Sequence, residues 1–232
     1  MLVIIDPGHG GYDPGGGSNQ YFKEKDINLD ISKYQKRRLN ELGIDAILVR
    51  DDDITLTPAE RVGKIATIGP TSSDILISNH VNFGGDNGGE VIYSVRGNRT
   101  LPDLIAKNLS ETGLRIRNVY QRKNRVGRDF YFVLRETLPN DAIIIEYGFA
   151  DNPADVYRLR FQWPELAESV VKAIATYLNV PYIPSNYKTY IVRPDDSLYT
   201  IANRFNTTVE KIKQDNGLTS NEIYPETILN IY

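Results

Sequence analysis

The sequence of 232 residues contains two histidines, and each stands where a short apolar run gives way to a glycine-rich loop. His9 follows the run Leu2–Asp6, and His80 follows the run Ile75–Ser78. Imidazole is the commonest metal ligand in proteins and the side chain best suited to proton transfer near neutral pH. Because so few histidines are all placed at such junctions, we interpret them as parts of one chemical site.

A carboxylate, Glu146, directly follows a third apolar run, Ala142–Ile145. At such a position a carboxylate is costly unless it is paired, ligated or open to a cleft. Two imidazoles, one carboxylate and an open position form a catalytic zinc arrangement, in which a second carboxylate can act as general base. Spacing leaves the other carboxylate open among Glu24, Asp26, Asp6, Asp13, Asp86 and Glu90.

The elements that must position these groups alternate between strand and helix up to residue 178. The apolar runs predict strands at Leu2–Asp6, Ala46–Val49, Ile75–Ser78, Glu90–Val95, Phe130–Leu134 and Ala142–Ile145. Helical spacing and capping residues predict helices at Ile27–Leu42, Pro58–Ile68, Leu101–Leu114 and Glu165–Leu178. This alternation predicts an α/β fold with a mainly parallel sheet flanked by helices. Ligands of such sheets bind beyond the carboxyl ends of the strands, where both histidines and Glu146 fall.

The pattern breaks near residue 180, where two prolines and polar residues predict a short, semi-stiff linker. Beyond it we expect a strand at Thr189–Val192, helices beginning after Ser197 and near Thr208, and a strand at Ile228–Ile231. The predicted organisation is a domain over residues 1–179, a linker over 180–187 and a small strand-helix-helix-strand module over 188–232.

Composition excludes several classes of function. A formal net charge of −3 gives no electrostatic argument for binding nucleic acid, and a local group of basic residues is interpreted as a solvated loop beside a strand. That group comprises Arg115, Arg117, Arg122, Lys123, Arg125 and Arg128. No apolar run approaches the roughly 20 residues that span a bilayer, so membrane insertion is not expected. The absence of cysteine excludes disulfides, thiolate zinc sites and a cysteine nucleophile.

Four motifs, in this order along the chain, resemble those of the zinc-dependent N-acetylmuramoyl-L-alanine amidases of the amidase-3 type. They are Asp6–Gly11, Glu24–Leu29, Ser78–Asn82 and Ile145–Phe149. The resemblance covers about residues 1–178. It implies cleavage of the amide that joins the lactyl group of N-acetylmuramic acid to L-alanine of the peptidoglycan stem peptide.

The resemblance also implies a role for each motif residue. His9, Glu24 and His80 would bind Zn²⁺, and Glu146 would be the catalytic glutamate. Arg61 also matches a family position, although a structural ion pair explains it equally well. The motif around the second histidine departs from the family in its neighbours, since it contains Asn79 and Val81.

The C-terminal module resembles a LysM domain in the segments Tyr190–Ala202, Asn216–Leu218 and Ile223–Pro225. LysM domains bind glycans that contain N-acetylglucosamine in a groove between two loops. The resemblance implies that the groove is formed by Asp195, Asp196, Ser197, Leu198, Leu218, Ile223 and Tyr224. Asp195 and Glu226 stand where the family usually has glycine.

Together the two resemblances predict a monomeric peptidoglycan hydrolase that a LysM domain anchors to wall glycan. Two alternatives are a non-catalytic wall-binding or assembly protein and a zinc carboxypeptidase that acts on stem peptides. The N-terminus shows no secretory signal. We therefore expect synthesis in the cytoplasm and action on the wall after release, as in phage endolysins or sporulation amidases. The sequence does not choose between these settings.

Overall fold

A computed structural model describes residues 1–232 and has a six-stranded sheet at the centre of the N-terminal part. The strands are β1 (Val3–Pro7), β2 (Ala46–Leu48), β3 (Ile75–Asn82), β4 (Gly89–Tyr93), β5 (Ile116–Tyr120) and β6 (Asp141–Phe149). Their order across the sheet is β2-β1-β3-β6-β4-β5. Strands β2, β1, β3 and β6 are parallel, whereas β4 runs antiparallel to β6. The predicted mainly parallel α/β fold is therefore confirmed.

Six helices accompany this sheet. They are α1 (Glu24–Glu41), α2 (Pro58–Ile68), α3 (Thr100–Glu111), α4 (Phe132–Arg135), α5 (Pro153–Phe161) and α6 (Trp163–Tyr177). Alternation along β1 buries Val3 and Ile5 in a large apolar cluster with α1, α3 and α6. Ile4 is buried on the opposite face with α2 and α4. Both faces of the sheet are covered, which explains the continuous apolar runs of its strands.

The predicted strand Phe130–Leu134 is wrong, because residues Phe132–Arg135 form the short helix α4. A short apolar run cannot be distinguished from a buried helical segment by its periodicity. Val133 and Leu134 of this helix pack into the smaller cluster. The edge of the sheet is instead formed by β5, whose polar residues carried no strand signal, and helix α5 was also not predicted.

The C-terminal part has the predicted element order: β7 (Lys188–Ile191), α7 (Leu198–Phe205), α8 (Val209–Asn216) and β8 (Ile228–Ile231). The Ser197 side chain accepts from the main chain of Thr200 in a capping box that begins α7, and Thr208 caps α8. Strands β7 and β8 form an antiparallel pair over a separate apolar cluster. The division at residues 180–187 stays a prediction. No helix in the structure combines the length and the apolar character that crossing a membrane would require.

Candidate active site

His9, Glu24 and His80 converge at the carboxyl ends of β1 and β3, and one potential ligand atom from each lies within 4.8 Å of the others. His9 Nε2 is 3.2 Å and His80 Nδ1 is 3.1 Å from the same oxygen, Glu24 Oε1. The two imidazole rings are nearly perpendicular, with centroids 5.1 Å apart. Two imidazoles and a carboxylate in this arrangement match the donor set of a catalytic zinc site.

The strand ladder explains why the second histidine and Glu146 are neighbours. In the parallel pairing of β3 with β6, His80 lies opposite Glu146. Pro7 at the end of β1 lies opposite Asn79, so the loop that carries His9 begins beside the same ladder position. Gly8 allows this approach, because a Cβ atom there would lie 2.3 Å from Cε1 of His80.

Glu24 begins helix α1, and its side chain is 2% exposed. Oε2 accepts a hydrogen bond from the main chain of Gly17 at 2.7 Å, and Oε1 accepts one from Val81 at 3.0 Å. Gly15 has a φ of +89°, and a Cβ atom there would lie 2.3 Å from Oε2 of Glu24. The glycine-rich loop therefore wraps the carboxylate closely and supplies the donors that a buried anion requires.

His9 has a φ of +61°, a left-handed conformation that is uncommon for a residue with a side chain. Arg61 fixes this turn, since it donates to the His9 carbonyl at 2.8 Å and pairs with the buried Asp6. At the ring, Nδ1 lies 2.7 Å from Asp13 Oδ2, which leaves Nε2 directed at Glu24. Arg61 is thus a structural ion-pair residue, and Asp13 orients the histidine as carboxylates behind metal ligands do.

The electrostatics of the cluster favour the charged forms of Glu24 and His9. Burial would raise the pKa of Glu24, but the hydrogen bonds and charges of His80 and His9 hold it well below its usual range. Burial would lower the pKa of His9, but the carboxylates of Glu24 and Asp13 raise it to about 9. A buried carboxylate kept ionised between two imidazoles is a site prepared for a cation.

Glu146 differs from Glu24 because no donor satisfies one of its oxygens. Its Oε2 atom is buried and has no hydrogen-bond partner. Burial raises the pKa of Glu146 to about 7; the nearby His80 opposes this shift, and the charges of Glu24 and Glu90 add to it. Glu146 lines an open cleft of about 240 Å³ with all three cluster residues and Phe83. A carboxyl group with a pKa near neutrality beside a cleft is suited to proton transfer.

Apart from Asp13, which contacts His9, the other carboxylates left open by spacing are exposed or paired with arginines. Asp6 pairs with Arg61, and Asp26 is exposed. Asp86 pairs with Arg115 and Arg117, and Glu90 pairs with Arg117. These pairs also account for part of the basic group, in agreement with a solvated surface beside β5.

Sequence reasoning missed two cations that hold the site together. Arg50, 1% exposed, donates to the main-chain carbonyls of Pro7 and Gly8. Lys25, the neighbour of Glu24, donates to the Gly11 carbonyl at 2.8 Å and pairs with Asp53. The only available signal was an arginine directly after the predicted strand Ala46–Val49, a weak signal because most arginines are exposed.

In the C-terminal part the predicted groove residues have different environments. Leu198 is buried, and Leu218 and Ile223 pack against the cluster of this part. Asp196 accepts hydrogen bonds from the Tyr190 hydroxyl and the Arg193 main chain and pairs with Arg204. Asp195, Ser197 and Tyr224 are exposed. The exposed members are therefore available to a ligand, whereas the others support the loops.

Comparisons with known proteins identify the family of each part of the chain. Residues 3–179 match the family described as N-acetylmuramoyl-L-alanine amidase, and residues 190–231 match the LysM domain. The chain is 32% identical to the Bacillus subtilis protein YqiI over 75% of this chain and 84% of that protein. It is 29% identical to the probable cell wall amidase LytH of Staphylococcus aureus over 76% of this chain and 58% of LytH. The catalytic domain of CwlV, an amidase from Bacillus (Paenibacillus) polymyxa, superposes with a TM-score of 0.67 at 25% identity, over 78% of this chain and 99% of that domain.

The fold and the family matches define an enzyme of the peptidoglycan amidase class. The chain belongs to the N-acetylmuramoyl-L-alanine amidase family and has a LysM domain at its C-terminal end. Both recognitions made from the sequence motifs are therefore confirmed.

Proposed function

We propose that this chain cleaves the amide between the lactyl group of N-acetylmuramic acid and L-alanine, with Zn²⁺ held by His9, Glu24 and His80. The observation that carries the proposal is the convergence of these three donors beside Glu146, whose pKa lies near neutrality. The buried and unpartnered Oε2 of Glu146 supports it, because a catalytic role explains why a buried polar atom lacks a protein partner.

The donor set suits zinc, because two imidazoles and one carboxylate leave a position open to substrate. When bound, zinc supplies Lewis-acid chemistry, which polarises an amide carbonyl and acidifies water. Asp13 fixes the ring of His9, and the main-chain donors of Gly17 and Val81 fix the carboxylate of Glu24. The protein thus orients the ligands before any substrate arrives.

Glu146 moves the proton in this proposal. Its carboxylate accepts a proton from the water whose oxygen attacks the amide carbonyl carbon. It then delivers that proton to the nitrogen of L-alanine as the carbon–nitrogen bond breaks. The products are a lactyl carboxylate and a free α-amine on the stem peptide. A pKa of about 7 suits both transfers, because the group must be a base in one step and an acid in the next.

The LysM domain supports a second part of the proposal, the retention of the enzyme on wall glycan. The exposed groove residues Asp195, Ser197 and Tyr224 are the side chains available for contact with the sugar. A single LysM domain raises the local concentration of the catalytic site on its polymeric substrate. We propose that the enzyme acts as a monomer on the cell wall.

Digestion of purified peptidoglycan with zinc-loaded protein, followed by mass spectrometry of the products, tests the reaction. The expected products are peptides with free N-terminal L-alanine and glycans with free lactyl carboxylates. Release of D-amino acids would identify a carboxypeptidase instead. Undiminished wall phenotype in His80→Ala would identify a non-catalytic wall-binding or assembly protein.

Glu146→Gln tests the proposed proton transfer. It is expected to bind zinc normally and to lose turnover by roughly 10²–10⁴-fold, the range for removal of a general acid–base group. Glu111→Gln is the matched control, because Glu111 is exposed and pairs with Lys172 away from the cleft. An active Glu146→Gln enzyme would exclude Glu146 as the base.

A further inference from the structure

The two faces of strand β7 are both buried, but against different partners. Tyr190 and Val192 pack into the apolar cluster of the LysM domain. Ile191, on the opposite face, is 2% exposed and belongs to the large cluster of the catalytic domain. Because side chains alternate between the faces of a strand, the outer face of the small sheet is a contact surface. The surface that it contacts is the catalytic domain of the same chain.

An ion pair lies at the edge of this contact. Arg160 of α5 donates to Glu226 of the LysM domain at 2.7 Å. Its guanidinium also lies 4.7 Å from the ring centre of Tyr21 and 4.9 Å from that of Phe161. The side chain of Arg160 is 24% exposed and packs against two aromatic rings. Because these contacts already restrict it, Arg160 loses little side-chain entropy when it pairs with Glu226. A second pair joins Lys188 to Glu165 at 3.1 Å.

Glu226 carries its side chain at a backbone conformation that disfavours one. Its φ is +72°, in the left-handed region that favours glycine. Glycine would adopt this turn without strain, but glycine has no carboxylate to offer Arg160. Glu226 is one of the two residues that depart from the LysM pattern, and its side chain contacts the catalytic domain.

The linker is also fastened rather than free. Arg38 of α1 donates to the carbonyl of Ile183 at 2.9 Å, and the Tyr182 hydroxyl donates to Glu168 of α6 at 2.7 Å. Val180 and Tyr182 pack against the large apolar cluster. The segment predicted as a linker therefore follows the surface of the catalytic domain until β7 begins.

We propose that the LysM domain is a docked, fixed part of this enzyme, held through Ile191 and a clamp formed by Glu226 and Arg160. Tyr21, which contacts Arg160, belongs to the segment between Gly17 and Glu24, so the clamp adjoins the loop that wraps the metal-ligand candidate. If the proposed function holds, the glycan held by the LysM domain keeps a constant distance from the bond that is cleaved.

The docking is tested by measuring the distance between two spin labels, one on each domain. This measurement does not depend on hydrolysis, so its result is independent of the proposed reaction. The chain has no cysteine, so Lys64→Cys on α2 and Gln214→Cys on α8, both at exposed positions, provide unique labelling sites. Double electron–electron resonance spectroscopy on the labelled full chain is expected to give one narrow distribution of distances between the two labels. A broad distribution in this parent protein would overturn the proposal.

Two single changes probe the contact itself, and a third is their control. Ile191→Asp places a charge on the buried outer face and is expected to broaden the distribution by roughly twofold or more, as a released linker allows. Glu226→Gly removes the clamp and relieves backbone strain, and it is expected to broaden the distribution measurably. The matched control is Asn206→Gly, which relieves a left-handed residue at the end of α7, and it is expected to leave the distribution unchanged.

The last variant is the double charge exchange, Arg160→Glu with Glu226→Arg. Its distance distribution is expected to be narrow, whereas that of either single charge change is expected to be broader. Amide NMR spectra of each variant establish that the LysM domain remains folded. A folded Ile191→Asp variant with the narrow distribution of the parent would overturn the docking. Equal, narrow distributions in Glu226→Gly and Asn206→Gly would overturn the clamp.

Discussion

Replacing Arg50 with methionine is expected to weaken both the fold and the proposed metal site. The guanidinium of this buried residue donates four hydrogen bonds of 2.8–3.1 Å to main-chain carbonyls. The acceptors belong to Pro7, Gly8, Lys25 and Asp52. One cation therefore ties the end of β1, which leads to His9, to the start of α1, which carries Glu24.

The magnitude follows from opposing contributions. A hydrogen bond to a charged group contributes about 1.5–3 kcal/mol, so four of them sum to roughly 6–12 kcal/mol. Methionine also removes the cost of keeping a cation away from water, which is several kcal/mol. The net loss in free energy of unfolding is expected to be about 3–5 kcal/mol, because main-chain carbonyls are left without a donor and each unsatisfied buried acceptor costs about 1–3 kcal/mol. Since domains are stable by about 5–15 kcal/mol, the variant is expected to fold with little margin.

Urea unfolding monitored by tryptophan fluorescence measures this loss in the catalytic domain, because the single tryptophan is Trp163 at the start of α6. Arg37→Met is the matched control: Arg37 lies on the same helix as Glu24, is half-exposed and reaches Glu41 only at 3.9 Å. Its expected effect is within about 0.5 kcal/mol.

Zinc titration measures the effect of the same change on the site. Arg50→Met is expected to bind zinc about 10–100-fold more weakly, the usual effect of losing a residue that orients metal ligands. Arg50→Lys keeps the charge but not the planar fork, so an intermediate loss is expected. Wild-type zinc affinity together with a stability loss below about 1 kcal/mol in Arg50→Met would refute the reasoning.

Two further predictions concern the two domains separately. Gly8→Ala is expected to abolish zinc binding in a zinc titration, because its Cβ atom would lie 2.3 Å from His80, whereas Gly63→Ala, with open space around it, should bind normally. In the LysM domain, burial would raise the pKa of Asp196, but hydrogen bonds from Tyr190 and the Arg193 main chain and the charge of a nearby arginine hold it below its usual value. Because the folded-state pKa is depressed, this stabilisation is present above about pH 4 and is lost as the pH falls through the folded-state pKa. Asp196→Asn is expected to be less stable at neutral pH. In NMR spectra it is expected to lose the amide signals of the LysM domain less steeply on acidification than the parent protein. An acid profile like that of the parent would contradict the role of Asp196 in the acid sensitivity of this domain.

The chemistry of the site could be predicted from the sequence to the extent that it depends on position along a strand. His9, His80 and Glu146 each follow an apolar run, and the carboxyl ends of parallel strands meet at one edge of the sheet. Glu24 could not be selected from spacing, because it lies on a helix, and its selection depends on how the preceding loop folds. Only the resemblance to a family distinguished it from five other carboxylates.

The structural roles of residues that contact distant segments through long side chains could not be predicted from the sequence. The contacts of Arg50 join segments 25 and 43 positions away, and no local pattern records them. The strand predicted at Phe130–Leu134 was wrong for a related reason, because its apolar residues are compatible with either a strand or a buried helix. Only the packing of Val133 and Leu134 into the smaller cluster distinguishes the two.

The sequence by itself determined the alternation of strands and helices, the candidate reactive groups at the strand ends and the order of two domains, because these follow from local periodicity and residue type. Only the tertiary structure decided that Glu24 and His80, 56 positions apart, share a site, that an oxygen of Glu146 lacks a partner, and that Ile191 faces the catalytic domain. Proximity, burial and desolvation arise when distant segments pack, and the cost of leaving polar groups unpaired selects which of them meet.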